Sequence, residues 1–199
     1  MLTSTSSGLK QWYQWLLLSV AVCFSAPVWS NEDFRVLNGL KMFKSILQAD
    51  QDINDKHNPD NGLDIVFLYT GELQQAEKLA RSFLRMGRGD KKGRIKDMPV
   101  FVHLVRDMAH IEEMNIAVAG IFILNKLNTE EIKGIAQFGL SHNIVTYSPF
   151  QGDVEKGIFS GLTIDTSPKP FINAQVMNNS GIRIKSFFLR VATLYEPTR

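Results

Sequence analysis

The chain has 199 residues, with 22 Lys plus Arg against 20 Asp plus Glu and a formal net charge of +2. That balance excludes a nucleic-acid surface built on bulk positive charge, and the length leaves room for one domain with a full core. A single cysteine, Cys23, excludes a disulfide framework.

Trp12 to Phe24 form an apolar run of signal-peptide length, with Lys10 the only charge before it. Val28-Trp29-Ser30 is a small-residue cleavage pattern, and Asn31, Glu32 and Asp33 open a polar stretch. The pattern predicts a signal peptide over residues 1–30, export to a Gram-negative-type periplasm and one domain over 31–199. Retention of the run as an N-terminal anchor is the alternative. Removing it takes Cys23 with it.

A broad apolar stripe (Val36, Leu40, Phe43, Ile46, Leu47) predicts a helix over Phe34–Ile53. Asp50 to Gly62 is turn-former sequence. Leu63 to Tyr69 is a near-continuous apolar run, as expected of a strand buried on both faces. A helix follows from Glu72, with Leu73, Ala76, Ala80 and Phe83 on one face and Gly87 as its cap. Pro99–Val105 predicts a second strand, and Asp107 the start of a short helix turning Met108, Ile111 and Met114 inward. Ile116–Leu124 predicts a third strand. Asn128 and Glu131 form a capping-box start for a helix that should close at Gly139. Asn143–Tyr147 is the fourth expected strand.

The last forty residues read as a strand pair and a helix. Ile158 to Ile164 is strand-rich, Asp165 to Pro168 is turn chemistry, and Phe171 and Ile172 resume an extended segment. Asn173 sits where an N-cap belongs, and Gly181 marks a stop. Ile184, Phe187, Phe188, Val191, Ala192 and Tyr195 recur at helical spacing, predicting a closing helix ended by Pro197. The fold expected is α/β: a three-layer sandwich with a mainly parallel sheet flanked by helices, an antiparallel C-terminal strand pair at one edge, and that closing helix.

Chemical motifs are sparse. Gly87, Gly89 and Gly93 follow a helix and precede a strand, the reverse of a phosphate-binding loop. Their loop carries Arg85, Arg88, Lys91, Lys92, Arg94 and Lys96 against Asp90 and Asp97, a solvated connection or a contact for an acidic partner or lipid headgroup. His57, His103, His110 and His142 show no metal-ligand spacing, and His103 is expected to be a hydrogen-bonded core residue. No catalytic residue, metal ligand or cofactor is assigned, so an enzyme is not expected. In an open parallel sheet, ligands collect beyond the carboxyl ends of the strands. Those positions are Thr70-Gly71-Glu72, Arg106-Asp107, Asn125-Lys126 and Ser148-Pro149-Phe150. A polar residue with a helix N-terminus at the first three could hold a small polar or anionic group, or simply cap its helix. If the protein binds a solute, Glu72, Arg106 and Ser148 are expected to converge on it; Phe150 is expected to be either an exposed anchor for a partner or a core residue.

The C-terminal pattern resembles the YfiR-like family, also described as a domain of unknown function. Gly157 and Gly161 match its glycine strand. Phe171, Ile172 and Asn173 match its Phe-x-Ile-Asn with one residue missing, and Gly181 to Ala192 match its helix, with Ser186 kept from a Ser-Ser pair. The resemblance implies a periplasmic regulator that binds the periplasmic part of an inner-membrane sensor, a diguanylate cyclase making cyclic-di-GMP or a sensor kinase. It also implies a homodimer. The alternative, of another class, is a periplasmic solute- or cell-wall-fragment-binding protein using the strand-end crevice.

Overall fold

The computed structural model describes residues 31–197, so the expected signal peptide, its cleavage site and Cys23 lie outside the described residues. Among the described residues, no helix is long and apolar enough to cross a membrane. The helices are α1 (Asn31–Ala49), α2 (Leu73–Leu84), α3 (Met108–Glu113), α4 (Thr129–Ser141), α5 (Ala174–Asn179) and α6 (Ser186–Leu189). The strands are β1 (Leu63–Leu68), β2 (Arg94–Ile95), β3 (Met98–Val105), β4 (Val118–Ile123), β5 (Val145–Ser148), β6 (Ser160–Ile164), β7 (Pro168–Asn173) and β8 (Thr193–Tyr195). Together the strands form one sheet in the order β2-β3-β1-β4-β5-β6-β7-β8. Pairing from β3 through β6 is parallel, β2 and β7 join antiparallel to β3 and β6, and β8 runs parallel to β7.

The three central strands β1, β4 and β5 are buried at every position, as strands covered on both faces are. On one face, Phe43 of α1 meets Phe122 of β4 and Tyr147 of β5 at ring-centroid distances of 5.4 and 5.7 Å. Phe83 of α2 meets Phe67 of β1 edge-on at 5.3 Å. Gly120 makes room for this cluster, since a Cβ there would lie 2.9 Å from the Phe43 ring. On the other face, α4 opens with the expected capping box: the Asn128 side chain accepts from Glu130 and Glu131 N–H, and Glu131 accepts from Asn128 N–H.

Gly139 does not end α4, which continues to Ser141. It lets the helix approach β5, because a Cβ at Gly139 would stand 2.4 Å from the Thr146 methyl. His103 is hydrogen-bonded as expected, through Nε2 to Asp64 Oδ1 at 2.7 Å, with a third of its side chain exposed. The basic loop holds a short strand, β2, that the sequence pattern did not suggest.

The C-terminus departs most from expectation. The antiparallel β6–β7 pair, the Asn173 N-cap and the stop before Gly181 are present. The closing helix shrinks to the single turn of α6, and β8 follows it along β7. Ile184 instead bridges Asp50, and Lys185 N–H donates to Ala49 O at 2.9 Å. Four residues cannot sustain a helix unaided. Thr193 and Tyr195 suit a strand, and β7 offers a free row of backbone groups. The strand pair is therefore covered by β8 and is not the outermost element.

Candidate functional site

The carboxyl edge of the sheet presents, in spatial order, Arg106 after β3, Thr70–Glu72 after β1, Asn125 after β4 and Ser148–Phe150 after β5. The strand order reverses between β1 and β4, where a crevice is expected in an open α/β sheet. Here Asn125 fills it. Its Oδ1 accepts the N–H groups of Thr70 and Gly71 at 3.0 and 3.1 Å. A Cβ at Gly71 would sit 3.0 Å from Asn125 Nδ2. The two amides that would greet an anion are thus already satisfied. Glu72 stands exposed just before α2 and makes no side-chain cap.

Glu72, Arg106 and Ser148 do not converge. Ser148 is fully buried, donates through Oγ to Asp153 Oδ2 at 2.7 Å and accepts from Phe150 N–H at 3.2 Å. Phe150 is 5% exposed, so of its two expected places it takes the core and is no exposed anchor. Pro149 is buried beside it, with its carbonyl accepting Arg35 Nε–H at 2.7 Å. The reason is local: the chain after β5 folds back at once, and Asp153 and Val154 turn inward to meet Ser148 and β6.

Arg106 is different. Its guanidinium lies 4.9 Å from the Tyr69 ring centroid. Beside it opens a cleft of about 440 Å³ lined by Leu104, Val105, Arg106, His110, Glu113 and Met114. Asp107 caps α3 by accepting His110 N–H at 3.1 Å, and the same oxygen lies 2.8 Å from His110 Nδ1. That hydrogen bond and charge raise the His110 pKa above the ordinary histidine value and hold the Asp107 carboxyl below the usual range. The cleft therefore combines a planar cation, a histidine biased toward its charged form, one carboxylate in Glu113 and the apolar side chains of Leu104 and Met114.

Two other depressions lie elsewhere. One of about 440 Å³, between α3 and α4, is lined by Lys56, Ile111, Asn115, Phe138 and His142 near the amino ends of β4 and β5. A smaller one of about 150 Å³ includes Arg35, Gly152, Leu162 and Phe171. Near it, Tyr147 Oη is buried without a hydrogen-bond partner among the described residues, and burial drives its pKa up. Among the described residues, no group of three His, Cys, Asp or Glu side chains is arranged to hold a metal.

The C-terminal pattern residues have structural tasks. Gly161 lets β6 approach β5, since a Cβ there would be 2.6 Å from Ser148 O. Phe171 packs edge-on to Tyr195 at 6.1 Å. Asn173 caps α5 and donates to Val154 O at 2.8 Å. Gly181 is exposed near Asn143, and Ser186 opens α6. None of them lines the Arg106 cleft. Sequence reasoning found Arg106 but missed Tyr69, Leu104, His110, Glu113 and Met114. The Arg106–His110 spacing on the Asp107-capped turn was the one available signal.

The chain matches no protein-family model and no curated protein. It is similar to solved structures at low identity. One is an ABC domain in complex with L-Trp from Streptococcus pneumonia, 12% identical with a TM-score of 0.50, covering 80% of this chain and 61% of that one. Another is a conserved domain protein from Vibrio cholerae, 13% identical with a TM-score of 0.50, covering 81% and 60%. A third is the open, ligand-free form of a substrate-binding protein with adhesive properties from Clostridium difficile, 11% identical with a TM-score of 0.49, covering 80% and 59%. The chain spans about three-fifths of the length of these proteins, and the likeness to the first two shows the mixed α/β fold.

Proposed function

We propose that the protein is an exported binding protein, not a catalyst, and that it takes a small amino acid-like solute in the Arg106 cleft. The cleft's composition carries this reading. Arg106 matches a carboxylate with its planar fork, Glu113 matches an ammonium, and Leu104 and Met114 offer an apolar wall. A fold shared with a protein that holds L-Trp supports it. The test is a thermal-shift screen of the twenty protein L-amino acids. A ligand at about a hundred times its Kd adds roughly 2.7 kcal/mol, which raises Tm by roughly 5–10 °C for a chain of this size. No shift with any amino acid contradicts the reading.

One observation favours a second reading, that of a YfiR-like regulator of a membrane sensor. Phe187, Val191 and Leu194 are 54%, 61% and 42% exposed within one short stretch, as an interaction surface would be. Gentle affinity purification from membranes separates the two. A membrane sensor recovered by the wild type and lost with Val191→Asp supports the regulator, whereas an empty purification excludes it.

A further inference from the structure

We propose that the Arg106 cleft receives the carboxyl end of an extended peptide, which adds to the free edge of β3 as a further strand. This rests on the Arg106 cleft being the ligand site and names the class of ligand it takes.

β3 is paired unequally on its two sides. On one side it lies along β1 for its length from Val100 to Val105. On the other, β2 pairs only with Met98 and Pro99. Val105 O accepts Tyr69 N–H on the β1 side, while Val100 N–H donates to Gly93 O on the β2 side. Backbone groups of alternate residues face alternate sides of a strand. Val102 and Leu104 therefore turn their N–H and C=O outward, beyond the end of β2, and neither pairs with any strand among the described residues. Both residues are only partly buried. The edge thus offers two donors and two acceptors in the spacing that a peptide strand uses.

The ends of this edge differ in chemistry. At the carboxyl end stands the cleft, with Arg106 and His110 ready for a terminal carboxylate. At the other end the loop preceding β2 carries Arg88, Lys91 and Lys92 against Asp90. A peptide with its carboxylate at Arg106 runs parallel to β3. The free edge from Val102 to Arg106 is roughly 13 Å of strand, or about four residues, so a hexapeptide seated there extends about two residues past it toward the loop. An acidic side chain at the far end of such a hexapeptide meets the basic loop, so charge fixes the direction at both ends.

The probe is a hexapeptide mixture with Glu at the first position, random residues at the middle four, and Ala with a free carboxylate at the last. Its C-terminally amidated counterpart is the control. Amide hydrogen exchange at Val102 and Leu104 is followed by NMR. The free-acid mixture is expected to slow both amides at least tenfold, and the amidated one to bind at least tenfold more weakly. Val102→Pro removes one outward N–H at an edge position that tolerates proline, and is expected to cost about tenfold in peptide affinity while leaving single amino acids unaffected. Unchanged exchange at Val102 and Leu104 with the free-acid mixture, or full affinity in Val102→Pro, overturns the proposal. If single amino acids still shift Tm in that case, the small-solute reading stands; if they do not, both fall.

Discussion

Phe43→Ala is expected to cost about 3–5 kcal/mol of stability, the range for removing a buried aromatic ring from a packed core. Phe43 is fully buried on α1 and is the hub of the aromatic cluster. Its ring touches Phe83 of α2 at 5.9 Å, Phe122 of β4 at 5.4 Å and Tyr147 of β5 at 5.7 Å. It also fills the space left by Gly120, which carries no side chain of its own to collapse into the gap. Those partners are rigid rings on three different elements, so the hole cannot close by a local shift. Urea unfolding checks this: the midpoint falls while the slope stays constant. Phe187→Ala is the control, because Phe187 is more than half exposed and should change stability by about 0.5 kcal/mol or less. Similar losses for the two variants contradict the packing described above.

Arg106→Ala is expected to weaken binding of the best amino acid from the thermal screen by roughly ten- to a hundredfold. A hydrogen bond to a charged group contributes about 1.5–3 kcal/mol. Arg106 is exposed and is not a partner in any ion pair among the described residues, so the fold should survive its loss. Arg106→Lys separates charge from shape. It keeps the cation but loses the fork and the guanidinium's contact over the Tyr69 ring, and should fall between wild type and alanine. Titration calorimetry on the three proteins decides the matter, and equal affinities in all of them remove Arg106 from the site.

The core was readable because β1, apart from Asp64, and β4 are apolar runs of the kind a doubly covered strand carries. Caps were readable too, since Asn128 and Asn173 act through bonds to residues two or three positions away. The C-terminal helix misled because apolar spacing over 184–195 fits a helix. What decided the outcome was distant: the free edge of β7 and the Ala49–Gln51 segment that captures Arg183 to Lys185. Gly139 misled for a similar reason, as its neighbour is Thr146 on another element.

The site was half legible. Arg106 follows from its place after a strand. Ser148 and Phe150 hold the same kind of place, but their side chains are claimed by Asp153 and the core, which no pattern around β5 announces. Leu104 and Met114 look like ordinary core residues in sequence, yet they line the cleft beside the six-residue α3. Tyr69 contributes from the end of β1, as the ring under the Arg106 guanidinium.

Ligand is expected to bind at the carboxyl end of β3. The most direct measurement is an NMR titration of the isotope-labelled protein with the amino acid that gives the largest thermal shift. Saturable amide shifts are expected, concentrated at Arg106, His110, Glu113 and Met114, with Phe187 to Leu194 unmoved. Shifts confined to Phe187–Leu194, to the surroundings of Arg35, or to no residue at all would contradict binding there.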